Sequence, residues 1–492
     1  MTRSSSYSSL GSRRRASGRR ALQRLFTWVL AIAAVVASGW YGVSSLTLES
    51  LAGFFDRTPP VIRELSSLVG LGLSPREMKI VVTDEGGVGA VSVVLLQGEK
   101  QHSVVDSRSS ALAASARERE LTVLLDPAAL ALAPGVVTIS VTATDSSVWG
   151  HQSVLVKELP IDLTRPRIEP VSVQQNGTVG GAELIVFRYV GRPAERLGVQ
   201  LRGEVFSAIP VAAFDPDIPA AESLYVSIFA LPYDFNPQLE QLKLVALDDI
   251  GNSVEAPFNY RIASRTFSEV EMNLGPQFFA HKVPPLLLDL QRQESSVNLS
   301  GDVMSDFKFV NEDLRRRNEQ VIREAISQKS GLERLWRGVF VRPMAAAPKA
   351  SFAEKRLYKR GRETLSQSLH MGVDLADVEQ APVRATNAGK VIYSAELGIY
   401  GGLIIIDHGA GVSSLYGHLS GRAVAVGDLV KTAQEIGRTG ATGLAGGDHL
   451  HFEVRVRGVP VSPLAWWDPL WMKEHAEDKV RSAAAAVTAP KS

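Results

Sequence analysis

Five of the nine histidines fall between residues 370 and 451: His370, His408, His418, His449 and His451. HMGVDLA (370–376) sets His370 and Asp374 four residues apart. GGDHLHFEVRVRG (446–458) reads as a strand with His449, His451, Glu453, Arg455 and Arg457 on one face. Leu450, Phe452, Val454 and Val456 form its other, core-facing side. GGLIIIDHGAGVSSLYGHLS (401–420) reads as a hairpin with its turn at His408–Gly411, and His418 ends its second strand. The chain has no cysteine, which excludes disulfides, thiolate metal sites and cysteine nucleophiles. A metal ion here must be held by histidines and carboxylates. An open catalytic zinc site takes three such ligands and a water, and His370, Asp374 and one histidine of the pair 449/451 supply that set. Because an imidazole desolvated without a partner is costly, one of the pair can coordinate while the other reaches the metal-bound water. The glycine-rich GRTGATGLAGG (437–447) lacks the GxxxxGK[ST] pattern and leads into a strand, so it is not a phosphate loop.

HMGVD, LYGHL and HLHFEV, in this order, resemble the motifs of the M23 (lysostaphin/LytM-like) family of zinc metallopeptidases. The similarity spans roughly residues 340–468, and APVRATNAGKVIYS (381–394), LIIIDHG and AVGDLVKTAQEIGRTG (425–440) resemble the family's successive strands and turns. The resemblance implies a small, mostly antiparallel β domain with a groove across its sheet, cutting peptides of peptidoglycan. It also implies His370, Asp374 and His451 as ligands of Zn2+ and His449 as the general base. His418 would stabilise the oxyanion or help with proton transfer. Tyr416 would contact substrate or pack in the core, and His408 would be structural or exposed. Asp448 and Glu453 either orient histidines or lie on the surface, with exposure the favoured reading. Where many members carry a Ser/Thr-Gly-Pro-type turn before the HxH strand, this chain has LAGGD, which alters the rim of the groove and not the ligand set.

These residues need elements to hold them. At 492 residues the chain is too long for one ordinary core. Its net charge of +1 gives no reason to expect nucleic acid. Residues 1–24 are polar and basic, and LFTWVLAIAAVVASGWYGVSSLTL (25–48) carries no charge. About 20 apolar residues suffice to cross a bilayer. Arg13, Arg14, Arg15, Arg19, Arg20 and Arg24 would hold the N-terminus in the cytoplasm. A signal peptide cut after Ala37 is the competing reading. Residues 60–165 and 166–262 alternate in strand-like runs and resemble immunoglobulin-like β-sandwich modules, read as spacers or as binders of an envelope partner. Residues 263–342 form a helical arm or lid, with Leu314, Val321, Ile322 and Ala325 as its apolar stripe and Arg315, Arg316 and Arg317 on a solvated face. The peptidase domain occupies 343–470. The tail, 476–492, is expected to be disordered, although its alanines permit a short helix.

The expected fold class is therefore mostly β: an N-terminal transmembrane helix, two β-sandwich-like modules, a helical arm and a C-terminal antiparallel β peptidase domain. The expected function is a membrane-anchored zinc metalloendopeptidase of peptidoglycan, in the cytoplasmic (inner) membrane with its bulk in the periplasm. The alternative is a catalytically inactive LytM-like adaptor that recruits or activates another cell-wall hydrolase. Degenerate members of the family lose metal ligands. Here all three are present, which favours the enzyme.

Overall fold

The computed structural model describes residues 56–106, 116–218, 223–294 and 300–488. The basic segment 1–24 and the expected anchor 25–48 lie outside these residues, and no described helix is long and apolar enough to cross a membrane. The chain divides into two compact units, Met1–Thr164 and Arg165–Ser492. In the first, strands Val61–Glu64, Arg76–Thr83 and Glu118–Leu125 form one sheet, and Val88–Gln97, Lys100–Asp106, Gly135–Asp145 and Gln152–Ile161 form another. The alternation of GVVTISVTATD buries Val137, Ile139, Val141 and Ala143. They share one apolar core with Met78, Ile80 and Val82 of the other sheet.

The second unit is built around an antiparallel sheet whose central strands are β1 (Val373–Leu375), β2 (Gly401–Gly409), β3 (Val412–Leu419) and β4 (Leu450–Val456). They lie side by side in the order β1, β4, β3, β2. Ala410 and Gly411, both at positive φ, make the tight β2–β3 turn. One face of the sheet packs Leu450, Phe452, Val454 and Val456 into a core that runs on through Trp336, Phe340 and Trp466 to Val186, Phe187 and Phe229. Phe214 meets Trp336 edge-on with ring centroids 5.7 Å apart, so the β-rich segment from 165 shares its core with this antiparallel sheet. Helix α1 (Pro276–Gln293) and helix α2 (Arg315–Lys329) cover the other face. A short helix, Val303–Phe309, and a π turn, Val310–Leu314, lead into α2. Phe279, Leu287, Phe307, Leu314, Ile322 and Ile326 pack there against Ile399, Leu403, Ile405 and Leu415. Of the expected stripe, Val321 faces outward and Ile326 takes its place.

With both faces covered, every residue of β4 is buried, including those on its polar side. The tail differs from expectation as far as residue 488. Asp478–Thr488 is helical, with Val480, Ala483 and Ala484 in the core. His475 and Lys479 pair with the buried Glu183 at 2.9 and 2.7 Å. Small alanines suit a helix that docks closely, and the His475 ring and the Lys479 ammonium at one buried carboxylate fix it there.

His408 is fully buried, with Nδ1 at 2.7 Å from Ala388 O and Nε2 at 2.7 Å from Ser414 Oγ. The Ser414 hydroxyl pairs with that of Tyr416, which also accepts from Thr386 N, so Tyr416 is a core residue and not a substrate contact. Burial pushes the His408 pKa down to about 4. Between that value and the unfolded value near 6.5, the unfolded chain binds a proton that the fold refuses. This contribution is complete above about pH 6.5 and is lost as pH falls towards 4. Thermal melts should show a loss of about 2 kcal/mol at pH 5 relative to pH 7 from this group. A His408→Asn variant should lack that component.

Candidate metal centre

Pairing of β1 with β4 sets Asp374 opposite His451, and pairing of β4 with β3 sets His451 opposite Gly417. His370 arrives at the end of strand Glu363–His370. The turn between His370 and Asp374 lies flat against β4 because residue 372 is glycine. A Cβ there would stand 2.4 Å from Phe452 O and 3.0 Å from His451 Cε1.

Three donor atoms converge as a result. His370 Nε2 is 2.8 Å from Asp374 Oδ1 and 2.9 Å from His451 Nδ1, and His451 Nδ1 is 3.0 Å from Asp374 Oδ1. Each imidazole has an acceptor at its far nitrogen. His370 Nδ1 faces Ser351 O at 2.9 Å, and His451 Nε2 faces Glu453 Oε1 at 2.8 Å. With those N–H groups committed outward, each ring in its neutral form presents a lone pair at its inward nitrogen. Two further imidazoles border the cluster. His449 Nε2 is 3.6 Å from Asp374 Oδ1, while its Nδ1 faces Gly447 O at 2.8 Å. His418 faces Thr442 O through Nδ1 at 2.9 Å, and its ring centroid is 4.8 Å from that of His449. The backbone of His418 is left-handed, φ +62°, a conformation that costs a non-glycine residue about 1–2 kcal/mol. The open side belongs to His449, whose side chain is 18% exposed against 4% for His370.

Electrostatics favour a cation among these groups. Burial would raise the Asp374 carboxyl, but the adjacent His370 and His451 hold it well below the usual carboxylate range. Burial pushes His370 down. Burial also opposes charge on His451, yet hydrogen bonds to Asp374 and Glu453 outweigh it and lift its pKa to about 9. Without a metal, the second proton that this pKa leaves on His451 sits at Nδ1, 3.0 Å from Asp374 Oδ1; a bound cation would displace that proton and take the positive position among the two inward nitrogens and the carboxylate oxygen. Among the described residues, His370, Asp374 and His451 form a group whose donor atoms are close enough to hold a metal ion. A tetrahedral ion with bonds of about 2.0–2.1 Å keeps its ligands about 3.3 Å apart. The rings therefore need to open by only a few tenths of an ångström. The two-histidine, one-carboxylate donor set suits zinc and leaves a fourth position for water.

The polar neighbours include residues that sequence reasoning placed elsewhere. Glu453, expected on the surface, is fully buried and accepts from His451. Its position two residues beyond His451 on the same strand face was the available signal. Asp448 touches no histidine; it accepts from Thr439 Oγ1 and Gln380 N, holding the loop. Arg356, in strand Glu354–Arg360, donates to Asp374 Oδ2 at 2.8 Å. The Tyr400 hydroxyl donates to Glu453 Oε1 at 3.2 Å.

The sheet thus buries a His/Asp/His cluster with the His449 imidazole at its open side and the buried His418 imidazole behind it. Residues 368–463 match the model of peptidase family M23. The chain is 41% identical over 97 residues to the DD-carboxypeptidase/endopeptidase Mpg of Neisseria meningitidis serogroup B, covering 20% of this chain and 22% of the relative. It is 33% identical over 110 residues to the murein hydrolase activator EnvC of Escherichia coli K12, covering 22% of this chain and 26% of the relative. The chain thus spans about a quarter or less of the length of these curated relatives. Among solved structures, the catalytic domain of the antimicrobial peptidase lysostaphin from Staphylococcus simulans is 28% identical. That match covers 25% of this chain and 92% of the other, with a TM-score of 0.22.

Proposed function

We propose that this chain is a zinc metalloendopeptidase that hydrolyses peptide bonds of peptidoglycan. The observation that carries this reading is the complete donor set, with each imidazole turned by a fixed acceptor at its other nitrogen. A zinc ion held by His370, Asp374 and His451 would lower the pKa of water towards about 7 and polarise the scissile carbonyl. His449 Nε2, on the open side, takes the proton of the attacking water and returns it to the leaving amine. His418 commits its Nδ1 proton to Thr442 O, and burial beside His449 and His451 keeps its pKa well down. The neutral His418 ring therefore presents a lone pair. It relays a proton, and it donates to the developing oxyanion only after gaining one.

The endopeptidase activity in the name of the Neisseria relative supports the reaction class. The activator among the relatives supports a second reading, in which the domain recruits or activates another hydrolase. Digestion of purified sacculi with and without a chelator, read by mass spectrometry of the released fragments, separates the two. Release that stops with chelator is expected and names the bond. Intact sacculi, with stimulation of an added hydrolase, would establish the adaptor.

The uncharged run 25–48 behind six arginines supports a single-pass anchor in the cytoplasmic membrane, with the bulk of the chain in the periplasm. The β-rich residues 60–165 then serve as a spacer or as a contact for an envelope protein.

A further inference from the structure

The polar face of β4 continues past His451 into Glu453 and Arg455, both fully buried. Glu453 Oε2 accepts from Arg455 Nε at 2.7 Å. The other edge of the guanidinium forms a two-pronged pair with Glu319 of helix α2, Nη1 to Oε1 at 2.7 Å and Nη2 to Oε2 at 2.8 Å. Glu319 is 26% exposed at its side chain and lies outside residues 368–463, the part of the chain that matches the family.

On the reading of His370, Asp374 and His451 as a metal centre, we propose that Glu319 is a positioning residue of that centre, acting on His451 through Arg455 and Glu453. Two physical effects make the connection. The first is geometric. A planar guanidinium gripped at two atoms by Glu319 cannot rotate, so it fixes the Glu453 carboxylate, and that carboxylate fixes the His451 ring with Nδ1 inward. The second is charge. Glu453, Arg455 and Glu319 together carry one negative charge, and Arg323, which also reaches Glu319 at 3.0 Å, is largely exposed and screened by water, so Glu453 keeps its strength as an acceptor for His451 Nε2–H and the ring remains a basic ligand. Without the Glu319 charge, Arg455 neutralises Glu453 completely and the potential at the metal centre becomes more positive. Helix α2 is then neither a plain connector nor a lid. It supplies a charged partner of the metal centre.

The test uses the full chain, stripped of metal and titrated with Co2+ against a competing chelator. E319Q should bind Co2+ about 10–100-fold more weakly, the range for loss of such outer partners, and should shift the visible Co2+ absorption band. E319D keeps the charge and should recover part of the affinity. E324Q changes an exposed carboxylate of the same helix that accepts from Gln320, and should match the parent. Parental affinity and spectrum in E319Q would overturn the proposal and leave Glu319 as a staple between helix and sheet. Should E319Q fail to fold, E319D carries the comparison, with weaker binding expected and parental binding overturning the idea. A parent chain that binds no Co2+ is a separate result. It would overturn the metal-centre reading, and this proposal with it.

Discussion

Replacing His451 with alanine should abolish stoichiometric metal binding and, with it, sacculus hydrolysis. The loss should exceed the 10–100-fold that outer partners command, because His451 contributes a donor atom itself. Its Nδ1 stands 2.9 Å from His370 Nε2 and 3.0 Å from Asp374 Oδ1. The variant also leaves a buried Glu453 with Arg455 and Tyr400 as its remaining partners. Both still hydrogen-bond the carboxylate, and Arg455 keeps a positive charge beside it, so the sheet should form. The difference between parent and variant is then read as ligand linkage. A metal present at 1,000 times its dissociation constant stabilises the parent by about 4 kcal/mol, and the melting temperature should fall when chelator is added. His451→Ala should melt at the same temperature with and without chelator. Full metal content in that variant, by elemental analysis after dialysis, would remove His451 from the ligand set.

The parts of this centre that could be read from sequence are those that chemistry confines to fixed residue types at short spacing. His370 and Asp374 are four residues apart because one tight turn, flattened by Gly372, brings both to the same point. His449 and His451 share a side because a strand alternates. Long-range cover carries no such signature. Glu453 was expected at the surface because a polar strand face ordinarily meets water, and Arg455 lies on that same face. The element that covers them is α2, and Arg455 meets Glu319 across 136 residues of sequence. The helix itself was legible from its apolar stripe, but its partner was not. The C-terminal helix is similar: alanine-rich composition says only that a helix is allowed, whereas docking depends on Glu183, 292 residues before His475. Likewise nothing local to Phe214 or Trp336 announces that the two rings meet and join the β-rich segment to the peptidase core.

Replacing His449 with alanine should have the opposite signature: metal retained, hydrolysis lost. His449 stands outside the His370–Asp374–His451 cluster, with Nε2 3.6 Å from Asp374 Oδ1, and its ring is turned by Gly447 O rather than by any ligand. Removing it should leave the three donors where they are. What disappears is the imidazole on the open side, positioned to take a proton from water as the nitrogen lone pair requires. General-base catalysis is worth about 10²–10⁴-fold, so sacculus digestion by His449→Ala should fall by that factor at neutral pH while Co2+ or Zn2+ content stays near one per chain. The companion variant His418→Ala separates the two imidazoles. His418 is the more deeply buried, its pKa is pushed well down by burial and by the neighbouring rings, and its far nitrogen is committed to Thr442 O. It suits relay more than first acceptance. His449→Ala should therefore be the more damaging change. If it digests sacculi at the parental rate and His418→Ala does not, the roles exchange, and the proton leaves the water from the buried side of the groove. If parent and both variants bind metal equally and none digests sacculi, the centre is structural and the adaptor reading takes its place.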